Sequence, residues 1–253
     1  MAIVNGNGNA NLWLDNSAPY TPPPFSNLYS VKFNGIDQRL QNLTKAPLLG
    51  ALGTGNWSVS FWVKVQNMTT TPATNQRLWA FGAGGTLQTQ MYITTTGNLQ
   101  FGGPWSDGFG WGAVAGTWYH VIYRADTSAV SLNVGYVLNG STINSKNQVV
   151  TTTFDETGAT YIGRNGGSYG FEGWIDEFAV WNKYLTNAEC LEIYNGGAGV
   201  DLNTVAASGN LQHWWRMGDP DGTASYATID DAKGGLDLSM ENQVSSDITT
   251  DVP

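Results

Sequence analysis

Cysteine, histidine and charge are all scarce in this chain of 253 residues: one Cys, two His and 12% charged side chains. A single thiol, Cys190, cannot close an intrachain disulfide, and it forms no Cys/His cluster of the kind that holds zinc. The charged fraction is about half the usual share. Only 11 Lys and Arg stand against 20 Asp and Glu, a net charge of -9. That balance supplies no basic face for a nucleic acid. No apolar run approaches the roughly 18 residues of a membrane helix. The opening Met1-Ala2-Ile3-Val4-Asn5-Gly6 has neither the basic start nor the apolar stretch of a secretory leader. Synthesis in a reducing cytoplasm, with exit by lysis, is the expectation that follows.

What is present in quantity is Gly (32), Thr (26), Asn (23) and Trp (11), with 41% hydrophobic residues. Such a chain is too apolar and too weakly charged to stay disordered. Thr, Asn and Gly supply turns and solvated faces, and aromatic residues favour strands, so the composition reads as all-β. A β-sandwich of roughly 200–250 residues is an ordinary single unit, large enough to bury a core without staples.

Residues 1–29 read as an N-terminal arm. Asn5-Gly6-Asn7-Gly8-Asn9 is loop composition, Pro22-Pro23-Pro24 imposes an extended course, and Leu12-Trp13-Leu14 is an apolar anchor. The anchor packs either on its own domain or on a neighbouring subunit. From Tyr29 strands succeed one another. In Trp57–Val65, Trp57, Val59, Phe61, Val63 and Val65 share one face, while Ser58, Ser60 and Lys64 share the other. Gln76–Phe81, Gln90–Thr94, Asn98–Phe101, Thr117–Arg124, Ser131–Leu138, Thr160–Arg164 and Gly173–Trp181 follow, and Thr96-Gly97-Asn98 supplies one hairpin turn. Thr186-Asn187-Ala188-Glu189 is a capping box opening a short helix that ends at Gly196-Gly197. Leu211–Met217 predicts a further strand, and Gly234–Leu238 an edge strand. Regular strands with one short helix predict an antiparallel two-sheet sandwich.

Several segments in this order carry a resemblance. They are Val31–Gly35, Trp57–Lys64, Trp118–Val121, Leu138–Gly140, Ile162–Arg164, and Phe171–Thr186 running into the capped helix. Residues 30–198 thereby resemble the laminin G-like, concanavalin A-like lectin/glucanase jelly-roll sandwich. Residues 199–253 form a C-terminal extension expected to pack on the same domain. Its Leu211–Asp219 string, followed by Ile229-Asp230-Asp231, resembles an extension in structural proteins of marine bacteriophages. The resemblance implies a virion surface protein (a capsid decoration, fibre or knob component) made in the host cytoplasm, associating with itself and with other virion proteins. The alternative it implies is a lectin-like module that binds a host surface glycan.

Candidate chemistry is sparse. Glycoside hydrolysis needs two carboxylates flanking one bond. On strand parity Asp176 turns inward with Phe178, while Glu177 turns to the opposite face with Trp181, which is wrong for such a pair. Asp176 is therefore expected to be a buried structural carboxylate, and no catalytic residue is assigned. His120 and His213, set beside Trp118 and Trp214, read as packed rings. Calcium takes six to eight loop oxygens, and Asp107, Asp126, Asp155 and Asn165 are the candidates, with the Asp219/Asp221 turn; no Asp-x-Asp-x-Asp spacing occurs. A glycan would stack on exposed aromatic rings in Gly-rich loops. Trp105, Trp111, Arg164 and Tyr169 are the candidate glycan contacts. Trp105, Phe109 and Trp111 could equally cap the end of the sandwich or meet a neighbouring subunit.

Overall fold

The computed structural model describes residues 25–44, 55–68, 75–82, 89–102, 106–126, 131–149, 158–164 and 170–253; of 106–109, 131–134 and 143–149 it describes the backbone course. The first strands are β1 (Ser30–Asn34), β2 (Arg39–Asn42), β3 (Asn56–Val65), β4 (Gln76–Gly82), β5 (Thr89–Ile93), β6 (Leu99–Gly102) and β7 (Ser106–Phe109). Then come β8 (Trp118–Asp126), β9 (Ser131–Leu138), β10 (Ser141–Val149), β11 (Ala159–Ile162) and β12 (Glu172–Trp181). After the helix α1 (Asn187–Tyr194) follow β13 (Leu211–Trp215), β14 (Thr228–Ile229), β15 (Leu238–Glu241) and β16 (Ile248–Thr249).

They form two antiparallel sheets. One runs β10-β9-β8-β3-β12-β1-β16, and β13 joins it by pairing with β12; the other runs β14-β15-β2-β11-β4-β5-β6-β7. Turn chemistry places the hairpins. Asn139 and Gly140 both hold positive φ, the two-residue turn that an Asn-Gly pair favours. Gly97, at φ 77°, closes β5 onto β6 by donating to the Thr94 carbonyl at 2.9 Å. The segment expected as an aromatic loop after Gly102 instead contains β7, because its residues pair with β6 from Leu99↔Phe109 to Gly102↔Ser106.

The core between the sheets is aromatic. Trp57, Val59, Phe61, Val63 and Val65 all point into it from β3, as their alternation predicts. Phe101 stacks on Tyr123 at 4.1 Å, and Phe61 on Phe178 at 5.3 Å. The opposite face of β3 is not solvated, however: Ser58, Ser60 and Trp62 are buried too. A second apolar cluster covers it, in which Ile122, Val137 and Trp181 of the sheet meet Leu185, Cys190 and Ile193 of the helical segment and Leu202, Val205, Leu211 and Trp214 beyond it. Short polar side chains on β3 thus lie under helix rather than water. Ser58 donates to the Lys183 carbonyl at 2.7 Å, and Trp181 Nε1 donates to Ser60 Oγ at 3.0 Å.

The helix begins as its capping box predicts. The Glu189 amide donates to Thr186 Oγ1 at 3.3 Å, and the Glu189 carboxylate accepts the Thr186 amide at 2.8 Å. It ends one residue before the predicted glycines, at Asn195 in the left-handed conformation. Buried Arg124 ties the helix down, donating to the Leu185 carbonyl and Asn187 Oδ1, each at 2.6 Å. Among the described residues no helix is long and apolar enough to cross a membrane.

Candidate functional site

Of the four glycan candidates, Trp105 and Tyr169 lie outside the described residues. Trp111 is a correction: it is 5% exposed, packs on Tyr119 at 5.6 Å and donates Nε1 to the Gly97 carbonyl at 3.1 Å. Glycines beside it leave the ring free to fold back, and the apolar gap next to Tyr119 takes it. Arg164 is half-buried and donates to the Asp37 carbonyl at 3.4 Å. It stands at the end of the sheet where β4 starts, whereas Gly102 and Ser106 pair at the opposite end.

The calcium candidates are dispersed as well. Asp155 and Asn165 lie outside the described residues, and Asp107 belongs to β7 rather than a loop. Asp126 closes β8, in register with Asn56 and Asn133. Asp219 is engaged elsewhere, accepting the Leu28 and Tyr29 amides at 3.0 and 3.2 Å. Among the described residues no group of three or more His, Cys, Asp or Glu side chains could hold a metal ion.

Asp176 and Glu177 also depart from strand parity. A bulge between Asp176 and Ala179, with Glu177 at φ 46°, shifts the register against β3. Phe178 enters the core, while Asp176, opposite Trp62, is turned away from it. The extra residue breaks the period of two, so sequence parity points Asp176 to the wrong face. Both carboxylates sit where β12 exchanges partner from β1 to β13. Asp176 accepts Asn27 Nδ2 and the Glu177 amide, both at 2.8 Å; Glu177 accepts Trp214 Nε1 at 2.5 Å and Arg216 Nε at 3.3 Å. Arg216 also lies 3.8 Å from Asp219, donates to the Ser26 carbonyl at 2.5 Å, and stacks over Phe25 and Trp214. Glu177 and Asp219 share one guanidinium, and Asp176 stands beside Glu177. Burial pushes Glu177 up to about 7 and raises Asp176 and Asp219, Asp176 also because of its charged neighbour Glu177. The arrangement closes the junction, with Asp176 and Glu177 buried in it.

The histidines are packed. His120 lies between Trp62 and Tyr194, and burial lowers it to about 3, so it is neutral. A cavity lined by Ser60, Trp62, His120, Glu177 and Ile193 has room for about one water. His213 stacks on Trp215 at 5.5 Å and meets Asp231 at 2.6 Å. Burial opposes ionisation of Asp231, but His213 and the Trp214 and Leu236 amides outweigh it and hold the group at about 2.

Aromatic and polar side chains cross the second sheet in two adjacent rows. Register places Gln41, Tyr161, Ala80, Gln90 and Gly102 in one row across β2, β11, β4, β5 and β6. Arg77, Tyr92 and Gln100 form the adjacent row. Tyr161, Tyr92, Gln90 and Gln100 are half-buried, while Gln41, Arg77 and Ala80 are buried. Tyr161 and Tyr92 stand two strands apart, a lateral spacing of roughly 10 Å, in adjacent rows. Glycine is required at 102, since a Cβ there would lie 2.8 Å from the Tyr92 ring. Each ring is set by a guanidinium: Arg77 lies 4.6 Å from the Tyr92 centroid and Arg39 6.0 Å from that of Tyr161. Burial raises the Tyr92 hydroxyl pKa, against the pull of Arg77, so it stays a neutral donor. The composition alone does not single out these tyrosines; only the register brings them together.

The profile of the family described as Concanavalin A-like lectin/glucanases superfamily matches residues 39–190. No curated protein matches the sequence. Among solved structures, a putative carbohydrate binding protein from Bacteroides ovatus superposes with a TM-score of 0.63 at 17% identity, covering 89% of this chain and 62% of that one. The chain therefore spans less than two thirds of that protein's length. The receptor binding domain of botulinum neurotoxin D gives 0.52 at 16% identity, covering 70% of this chain and 45% of that one. A SAP-like pentraxin from Limulus polyphemus gives 0.50 at 15% identity, covering 73% and 90%. At these identities the likeness is one of fold. Two antiparallel sheets around an aromatic core, together with a profile match over more than half its length, make this chain a member of the concanavalin A-like lectin/glucanases superfamily.

Proposed function

We propose that the chain is a non-catalytic glycan-binding module whose ligand lies across β11, β4 and β5, stacked on Tyr161 and Tyr92. The observation that carries this reading is the pair of half-buried tyrosines in adjacent rows beside the small Ala80, with the amides of Gln90 and Gln100 next to them. Saccharide rings present apolar faces to aromatic planes and hydroxyls to amides. The relative from Bacteroides ovatus, named as a putative carbohydrate binding protein, supports the ligand class. The non-catalytic assignment is supported by the burial of Asp176 and Glu177 beneath Asn27 and Trp214, on the other sheet.

A role in display on a phage particle has its support in the resemblance of the Leu211–Asp219 string. In the fold that string has a structural task, with Trp214, Arg216 and Asp219 closing the β12 junction. The test of the glycan reading is a glycan array followed by calorimetry with the strongest neutral oligosaccharide. Tyr161→Ala and Tyr92→Ala should each weaken binding by about tenfold, in line with roughly 0.5–1.5 kcal/mol per aromatic contact. Binding that both variants leave unchanged, or an array without signal, would overturn it.

A further inference from the structure

Among the described residues, the helix and the second apolar cluster cover one end of the outer face of the first sheet. At the other end four side chains stand in register across β8, β3, β12 and β1: Trp118, Lys64, Trp174 and Lys32. Indole and ammonium alternate. Lys64 Nζ lies 4.3 Å from the Trp174 ring centroid and 5.4 Å from that of Trp118, and Lys32 Nζ lies 5.0 Å from Trp174. In a chain with 11 Lys and Arg and a net charge of -9, two ammonium groups gather on this one small face.

This row already holds a carboxylate, and it is the chain's own. Asp251 accepts Trp118 Nε1 at 3.1 Å with one oxygen and Lys64 Nζ with the other, while its backbone carbonyl accepts Ser30 Oγ at 2.6 Å. The Asp251 side chain is 42% exposed, against 11% for that of Lys64. The acceptor can therefore exchange with one from solution while the donor stays seated. Beside it the Trp174 indole N–H is buried and has no hydrogen-bond partner. Glu172, another carboxylate on this face, accepts the side-chain amide of Gln66 at 3.1 Å.

We propose that this row is a second binding site, separate from the tyrosine face, for a saccharide bearing a carboxylate, and that Asp251 occupies the position of the ligand's carboxylate and competes with it. A uronate would place its carboxylate between Lys64 and Trp118 and its ring beside the half-buried indole of Trp174. Charge-assisted hydrogen bonds fix the carboxylate, and the indole planes supply stacking. A long polyanion is disfavoured, because its remaining charges would meet the chain's net negative field.

The test is calorimetry of the full chain with digalacturonate and, in parallel, with its neutral disaccharide counterpart. Asp251→Asn should bind digalacturonate about tenfold more tightly than the native chain, the scale of one charge-assisted hydrogen bond, with no gain for the neutral sugar. Trp174→Ala in that background should abolish the gain, and Tyr161→Ala should leave it intact. No gain in Asp251→Asn, or an equal gain for the neutral disaccharide, overturns the proposal. So does a gain that Tyr161→Ala removes, which would assign the ligand to the tyrosine face. Should Asp251→Asn fail to fold, Trp118→Phe in the native chain decides, since it removes the N–H donor and keeps a ring: selective weakening of digalacturonate supports the site, and unchanged binding overturns it.

Discussion

Arg216 donates through Nε to the buried carboxylate of Glu177 at 3.3 Å, on the bulge where β12 passes from β1 to β13. This contact binds three separate parts of the chain. Arg216 also reaches the Ser26 carbonyl before β1, and Glu177 holds the Trp214 indole of β13. Removing the guanidinium would leave Glu177 and Asp219 without their shared cation. Arg216→Ala should therefore cost about 3–5 kcal/mol, the usual loss when one partner of a buried pair is removed. Urea denaturation checks this; a loss under 1 kcal/mol would show that the junction does not depend on the pair.

The same cluster sets a pH dependence. Burial raises Glu177 from its ordinary 4.5 to about 7 in the folded chain. The native state then keeps a proton that the unfolded chain releases between these values. Its contribution to stability is complete below about pH 4.5 and is lost as the pH rises through 7, on the order of 3 kcal/mol in all. Glu177→Gln should flatten that decline between pH 5 and 8. Melting temperatures across the range measure it, and parallel curves for the two proteins would contradict the assignment.

Gly163 follows β11 at φ 84°, and a Cβ there would lie 2.2 Å from two carbons of the buried Phe33 ring. Its amide and carbonyl are both engaged, with Leu78 at 2.8 Å and Phe171 at 2.7 Å, so the backbone cannot retreat. Gly163→Ala should cost about 3 kcal/mol through overpacking and a left-handed φ. Guanidinium unfolding would reveal it, and a variant as stable as the native chain would refute the close approach.

Thr186→Ala removes the hydroxyl that accepts the Glu189 amide. The expected loss is about 1 kcal/mol. Because α1 covers His120 and Trp62, hydrogen exchange at Ile122 and Val121 should rise together with exchange in the helix. Faster exchange confined to the helix would mean that the cap does not hold the cover on the sheet.

Cys190 is fully buried, and burial pushes its thiol up to about 11 against the pull of Arg124. The native chain should be inert to a thiol reagent at pH 8 and react fully once unfolded in denaturant. Rapid labelling of the folded protein would place this residue at a surface.

Local patterns were legible wherever one face of a strand met one environment. The alternation in β3, the Asn139-Gly140 turn and the Thr186–Glu189 cap each follow from a short-range rule, and each appears in the fold. So did the antiparallel two-sheet class, because period-two hydrophobicity and closely spaced turns permit little else. Tertiary structure alone decided what covers the outer faces. Ser58 and Ser60 look solvated in sequence yet lie under the helix and C-terminal cluster, because residues more than a hundred positions away supply that cover. Trp111 looked free among glycines, but its burial depends on Tyr119 and Gly97. A one-residue bulge, silent in composition, turned Asp176 away from the face that parity assigns it. The candidate binding faces are likewise products of register. Tyr161 with Tyr92, and Trp118 with Trp174, become neighbours only when strands distant in sequence align, and no local periodicity encodes that alignment.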